Sequence, residues 1–290
     1  MANIEAALVK ELRDRTSLGM MECKNALVES NGDIDQAIEL LRKASGMKAA
    51  KKAGRIAAEG VVLVKISSDR SAGAMVEVNS ETDFAAKEGS FNHFSKQVLE
   101  AAFDTKESDV SKLMDSELEP ARLGLVQKIG ENITVRRVAV ISEEGLTVGS
   151  YVHSNNKIAV LINLRGGDET LSKDIAMHIA ALNPMVVNAE EVSAEVLSKE
   201  SRIYTAQALE SGKPADIVEK MVSGRLRKFI EEVTLTEQAF VKDPDIKVGK
   251  LLKDGHAEVT SFIRFEVGEG IELAEVDFAA EVAEQLKGSE

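Results

Sequence analysis

The sequence predicts an α+β protein: an N-terminal three-helix module, a duplicated core of two related α/β-sandwich subdomains, an inserted antiparallel coiled-coil hairpin and a C-terminal helix. Three observations predict it. Apolar residues recur at helical spacing through the first 45 residues, the period becomes strand-like at Gly60, and the order strand, turn, strand, helix occurs twice, from Gly60 and again from Gly145.

The first helix is marked by Ile4, Leu8 and Leu12, and Thr16-Ser17-Leu18-Gly19 breaks it. Residues 20–30 are helical again and Asn31-Gly32 stops them. Asp33 is then an N-cap with Gln36 at the third helical position, ahead of Ile34, Ala37, Ile38 and Leu41. The third helix is expected to end near Ser45-Gly46. The basic, alanine-rich run from Lys48 to Arg55 lacks an apolar face and reads as a linker. A nucleic-acid patch is the rival reading there, disfavoured because the run is short and carries no aromatic residue.

Residues 60–66 and 74–79 read as a β-hairpin with a polar turn between them, and Thr82-Asp83 as a helix start. Phe91, Phe94, Val98 and Ala101 mark the face of the helix that follows. The pattern returns with strands at 146–152 and 158–163 around a turn at His153-Ser154-Asn155-Asn156, then a helix carrying Leu171, Ile175, Ile179 and Leu182. Residues 136–141 are expected to add a strand to this second unit, and residues 258–267 to close it. Residues 193–234 form two helices around Ser211-Gly212-Lys213-Pro214, with too little apolar surface for a core, so they are expected to project as a coiled-coil arm. Residues 271–286, with Phe278 and Val282, form the last amphipathic helix.

Of 290 residues, 36 are Lys or Arg and 49 Asp or Glu, a formal charge of −13, so the surface as a whole repels phosphate backbones and anionic lipid. The single cysteine, Cys23, forms no internal disulfide and no thiolate zinc cage, which fits the reducing cytosol. No apolar run approaches the roughly 18 residues of a membrane span, and Glu5 stands where a signal peptide is basic, so neither export nor insertion is expected. With two Tyr and no Trp, base-stacking platforms are scarce.

Phosphate-loop, dinucleotide, zinc-protease and nucleophile-elbow motifs are all missing from the chain, so no enzyme is expected. Gly166-Gly167-Asp168 follows a strand but lacks the further glycines and the lysine of a phosphate cradle, and reads as a turn. Cys23, near a helix N-terminus and beside Lys24, is either a reactive thiol or a packed small residue. Leu18, Met20 and Met21 crowd one inter-helix turn, either packed inward or forming a flexible apolar docking patch. In Glu77-Val78-Asn79-Ser80-Glu81-Thr82-Asp83-Phe84-Ala85-Ala86-Lys87, Phe84 either staples a capped helix to the sheet or stands at an exposed tip beside a carboxylate, where it could enter a partner's cleft.

The last two passages resemble the signature segments of the bacterial elongation factor Ts family. The likeness extends to Lys128-Ile129-Gly130-Glu131-Asn132-Ile133, Asp174-Ile175-Ala176-Met177-His178-Ile179-Ala180-Ala181, Ser211-Gly212-Lys213-Pro214, and the stretch from Phe262 to Glu272. The resemblance implies a ubiquitin-associated-like module and linker at 1–55 and a core N-subdomain at 56–140. It further implies a core C-subdomain at 141–268 with the coiled-coil hairpin at 193–234, and a C-terminal helical module at 269–290. It implies guanine-nucleotide exchange on the GTPase elongation factor Tu in translation elongation, with Mg²⁺ and GDP displaced on insertion of Asp83 and Phe84, and release on GTP binding. Thr82, Asp83, Phe84 and Ala85 match the intruding segment, and Arg13, Met20, Met21 and Lys24 the N-terminal contacts. His153 matches a histidine set near the partner's phosphate-binding loop, although the turn reads His-Ser-Asn-Asn where the family pattern is His-Gly. The partner would be elongation factor Tu, GDP-bound or nucleotide-free, with no cofactor, no metal, no nucleic acid and no membrane. A homodimer or a 2:2 assembly stays open.

Overall fold

The computed structural model describes residues 4–16, 18–210 and 214–272. Helices α1 (Ala6–Thr16), α2 (Met20–Glu29) and α3 (Ile34–Lys52) enclose a small core of Val9, Leu12, Leu18, Cys23, Ala26, Leu27, Ala37 and Leu41. The stop after α2 is as the sequence predicts: Asn31 and Gly32 take φ of 53° and 87°, and the Asp33 carboxylate accepts the Gln36 N–H at 2.9 Å.

The third helix, however, does not stop near Ser45-Gly46. It runs to Lys52 and absorbs the first half of the expected linker. Alanine and lysine favour helix, and the face that holds this turn is built from small residues. Ala49 is buried in the core of the first sheet, the Ser45 hydroxyl donates to Gln127, and Lys48 and Lys52 reach Glu22 and the Gly130 carbonyl.

Strands β1 (Glu59–Ile66), β2 (Ala72–Ser80) and β3 (Ile133–Ser142) form an antiparallel sheet in that order. The strand expected at 136–141 for the second unit is therefore part of the first. Val138 pairs with Val76 and Arg137 with Glu77. β2 is buried almost throughout and, as a central strand, needs a partner on each edge. Between β2 and β3 lie α4 (Asp83–Lys87), α5 (Gly89–Thr105), α6 (Val110–Met114) and α7 (Leu118–Ile129). Phe91, Phe94 and Val98 of α5 meet the sheet as predicted, with Ala102 rather than Ala101 fully buried beside them.

The second sheet is built from β4 (Thr147–Val152), β5 (Ile158–Gly166) and β8 (Ala257–Glu266), again antiparallel and in that order. Helix α8 (Glu169–Leu182) covers it, started by Asp168, whose carboxylate accepts the Leu171 N–H at 2.7 Å. Gly166-Gly167-Asp168 is thus a strand-to-helix turn. A Cβ on Gly166, at φ 73°, would lie 2.2 Å from the His256 carbonyl oxygen.

Each sheet has helices on one face, and the other two faces pack together. Val62, Met75 and Ala139 meet Val148, Ala159, Leu161 and Phe265. Helix, sheet, sheet and helix form successive layers, which is why the central strands read as near-continuous apolar runs.

Helices α9 (Ala194–Leu209) and α10 (Ala215–Val233) pack through a small cluster of their own, Ala208, Val218 and Val222 with Tyr204, Met221 and Leu226. Of the breaker between them, Ser211, Gly212 and Lys213 lie outside the described residues. So does the C-terminal helix expected at 271–286, from residue 273 onward. The chain returns through β6 (Ala239–Phe240), β7 (Asp243–Lys247) and α11 (Val248–Asp254), where Leu235, Phe240, Val248 and Leu252 complete the core under α8. His178 pins this return: fully buried, it donates from Nε2 to Gln238 at 2.9 Å and accepts the Val241 N–H at Nδ1, 3.1 Å away. Burial pushes its pKa down, consistent with a neutral ring that uses both nitrogens in place. No helix among the described residues is long and apolar enough to cross a membrane.

Candidate partner-docking site

The segment after β2 is braced from several sides. Ser80 donates to the Thr82 carbonyl at 2.9 Å, and Thr82, extended at φ −124° and ψ 157°, caps α4 by accepting the Ala85 N–H at 3.3 Å. The carboxylate of Glu131 accepts both the Thr82 N–H, at 2.9 Å, and its hydroxyl, at 2.7 Å. Glu81 in turn accepts the Asn132 N–H at 2.6 Å. Ala85 and Ala86 are buried, so the short helix is fixed from below and along one flank.

On that rigid base Phe84 is 78% exposed. The staple reading of this residue fails, because Ala85 and Ala86 take the inward positions and the ring is turned to solvent. Leaving a phenylalanine in water forgoes roughly 2 kcal/mol of burial. Asp83 pairs with Lys87 at 2.6 Å, and the Lys87 ammonium lies 5.7 Å from the Phe84 ring centroid. The Lys87 hydrogen bond holds the Asp83 carboxyl below its ordinary range, with a smaller contribution from the charge of Lys157. The tip is therefore a carboxylate and an aromatic ring side by side on a braced turn.

The crowded turn of the N-terminal module divides its apolar residues. Leu18 is in the core, while Met20 and Met21 are 60% and 62% exposed at the start of α2, and Arg13 and Lys24 are exposed as well. Cys23 is fully buried with its Sγ 3.7 Å from the Thr16 hydroxyl, so it is a packed small residue and not an accessible nucleophile.

His153 is exposed at the β4–β5 turn. Asn155 Oδ1 accepts the Lys157 N–H at 3.0 Å and lies 2.8 Å from His153 Nδ1, so Nδ1 carries a proton and donates to it. The turn closes without glycine because Asn156 adopts φ 55°, a conformation asparagine tolerates.

The tip and the turn meet at one end of the sandwich. Val62 N–H donates to the Asn156 carbonyl at 2.8 Å, and the Lys157 ammonium donates to Glu59 and to the Gly60 carbonyl. Glu59 and Gly60 pair across the sheet with Ser80 and Asn79, the last residues before the tip. The helical module ties into the same base: Lys52 reaches Gly130, and Asn132 donates to the Arg55 carbonyl at 2.8 Å. Of the sequence-predicted contact residues only Leu18, packed inward, lines the cleft of about 650 Å³ between the module and helices α5 and α7. Arg13, Met20, Met21, Lys24, Phe84 and His153 are exposed and Asp83 is half-buried, whereas Ala85 is buried beneath the tip.

The Elongation factor TS family model matches residues 81–269, beginning at the base of the tip. The chain is 63% identical over 288 residues to elongation factor Ts of Hahella chejuensis, covering 99% of this chain and all of that one. It is 60% identical over 286 residues to that of Saccharophagus degradans, covering 99% of each. The chain belongs to the elongation factor Ts family. Likeness to elongation factor Ts of Cellvibrio japonicus, 58% over 289 residues, spans all of this chain and so includes the N-terminal helices that the family model leaves out. What sequence reasoning missed is the support of the tip and turn: Glu81, Glu131 and Asn132 fall in stretches that resemble the family, but nothing local shows that they brace Thr82, or that Lys157 reaches Glu59 98 positions away.

Proposed function

We propose that this chain is the guanine-nucleotide exchange factor of elongation factor Tu in translation elongation, and that Phe84 and Asp83 are its intruding pair. The observation that carries the reading is an exposed aromatic ring on a fully braced helix tip, in a member of the elongation factor Ts family. Met20, Met21, Arg13 and Lys24 form the module's contact with the same partner, Thr82 and Ala85 frame the wedge, and His153 approaches the phosphate-loop side.

A GTPase holds GDP through backbone amides of its phosphate loop and a Mg²⁺ ion that demands near-octahedral ligands, so small shifts of either cost much affinity. Phe84 enters between helices of the GTPase domain, Asp83 makes a charged hydrogen bond there, and the Mg²⁺ support moves. His153 favours a phosphate-loop arrangement that binds phosphate less well. The factor acts by stabilising the nucleotide-free partner and breaks no covalent bond. GTP then expels it, because mutual weakening is reciprocal.

In this reading residues 1–55 are the ubiquitin-associated-like module and linker, and 56–140 and 141–268 the two core subdomains. Residues 193–234 are a coiled-coil arm and 269–290 the C-terminal module, and the protein works in the cytoplasm. The test is release of fluorescent GDP from elongation factor Tu with and without this chain. We expect release to be accelerated at least about tenfold at saturation, equivalent to 1.4 kcal/mol of barrier. A chain that binds elongation factor Tu and leaves the rate alone is a scaffold, and the proposal fails.

A further inference from the structure

The turn from His153 to Lys157 belongs to the second sheet, yet its bonds reach the first. Asn156 accepts the Val62 N–H through its carbonyl at 2.8 Å. The Lys157 ammonium, half-sheltered, donates to the Glu59 carboxylate and to the Gly60 carbonyl at 3.0 Å. Gly60 can hold its carbonyl there only as glycine: its φ is 147°, and a Cβ would lie 2.1 Å from the Val78 carbonyl oxygen. Directly across from Glu59 and Gly60 are Ser80 and Asn79, and Ser80 holds the Thr82 carbonyl. A short path of hydrogen bonds and strand pairs thus connects His153, through Asn155 and Lys157, to the cap of the tip.

We infer that Lys157 is a positioning residue for nucleotide exchange: it clamps the His153 turn of the second subdomain against β1, so that the turn and the Asp83–Phe84 tip meet the GTPase at one fixed spacing. This rests on the reading of tip and turn given above. The clamp joins the two subdomains at the end that carries both contacts, where a loose turn would let each contact form without the other. Its charge also reaches Asp83, whose carboxyl is held low first by Lys87 and then by Lys157. Lys157 itself is not the contact. It acts through His153, and its loss should be felt at the step in which both sites engage.

The experiment is stopped-flow release of fluorescent GDP from elongation factor Tu by full-length Lys157→Met, Lys157→Arg, His153→Ala and the Lys157→Met/His153→Ala pair, with melting curves of each. Lys157→Met should slow release at saturation about tenfold, well inside the hundredfold that a displacement near 1 Å can cost, with the half-saturating concentration changed less than about twofold. His153→Ala should cost little more once Lys157 is Met, because the two act as a unit, and Lys157→Arg should restore most of the rate. Glu59→Gln breaks the same bridge from the other side and should reproduce the loss, so the inference stays testable if Lys157→Met does not fold. Saturating rates equal to wild type in Lys157→Met or Glu59→Gln, or losses from Lys157 and His153 that multiply independently, overturn it. If Phe84→Ala is slow while those variants are normal, only the clamp is wrong; if Phe84→Ala is also normal, the reading of the tip is wrong.

Discussion

Phe84→Ala is expected to slow GDP release from elongation factor Tu roughly 100-fold at saturating concentration of this protein, while its melting temperature stays within about 2 °C of wild type. The ring is 78% exposed, so its removal opens no cavity, and alanine is the better helix former at that position. The cap from Thr82, the Glu131 brace, buried Ala85 and Ala86, and the Asp83–Lys87 pair are all left in place. What goes is the anchor. Aromatic side chains that fill a partner's pocket are worth about 2–4 kcal/mol on truncation, and each 1.4 kcal/mol is tenfold in rate. An unchanged release rate in stopped-flow would remove the wedge from the mechanism.

The largest effect on stability is expected from Glu77→Ala. Glu77 is fully buried where the two sheets meet, and its carboxylate takes Arg136 at 3.0 Å, Arg137 at 2.5 Å and the Gly268 N–H at 3.0 Å. Arg137 continues to the Glu266 carbonyl at 2.9 Å and lies 4.3 Å from the Phe265 ring, so one carboxylate on β2 organises the end of β8. Removing it takes the shared carboxylate from two guanidinium groups, which keep their bonds to Glu266 and Glu269, and leaves the Gly268 N–H without its acceptor. Breaking a buried pair from one side costs about 3–5 kcal/mol. Both arginines keep about a quarter of their side chains in water, which favours the lower end. A loss near 3 kcal/mol corresponds to about 5 °C in melting temperature for a chain of 290 residues. A thermal scan that leaves the midpoint unmoved would show that the cluster does not hold the sheets together.

The parts of this molecule that the sequence makes legible are those with local signals. Asp33 and Thr82, both read from the sequence as helix starts, each cap a helix by accepting the backbone N–H three residues on. The duplicated strand, turn, strand, helix order survives as two antiparallel sheets with one helix-covered face each. Long-range choices were not legible. Alternation identifies 136–141 as a strand but cannot say which sheet it joins. That is decided by β2, and by Glu77 facing Arg137 across the pair. The end of α3 was hidden because serine and alanine, not large apolar residues, make its contact with α7, and residues 106–130 carry no pattern strong enough to reveal α6 and α7 in advance.

The site follows the same rule. A capped helix start beside a phenylalanine is compatible with a staple or with a wedge, and the sequence leaves both open. Exposure of Phe84 decides the geometry, and the brace responsible comes from Glu131, 49 positions away. At the β4–β5 turn the missing glycine suggested a changed loop. Asn156 supplies the left-handed residue instead, and His153 stays exposed at the turn.

The central claim is that this protein and guanine nucleotide weaken each other's hold on elongation factor Tu. It is tested most directly by measuring the dissociation constant of the protein pair at equilibrium, without nucleotide and then with saturating GDP, alongside the dissociation constant of GDP with and without saturating chain. The account predicts that both affinities fall, and by the same factor. A pair held as tightly under saturating GDP as in its absence would contradict it.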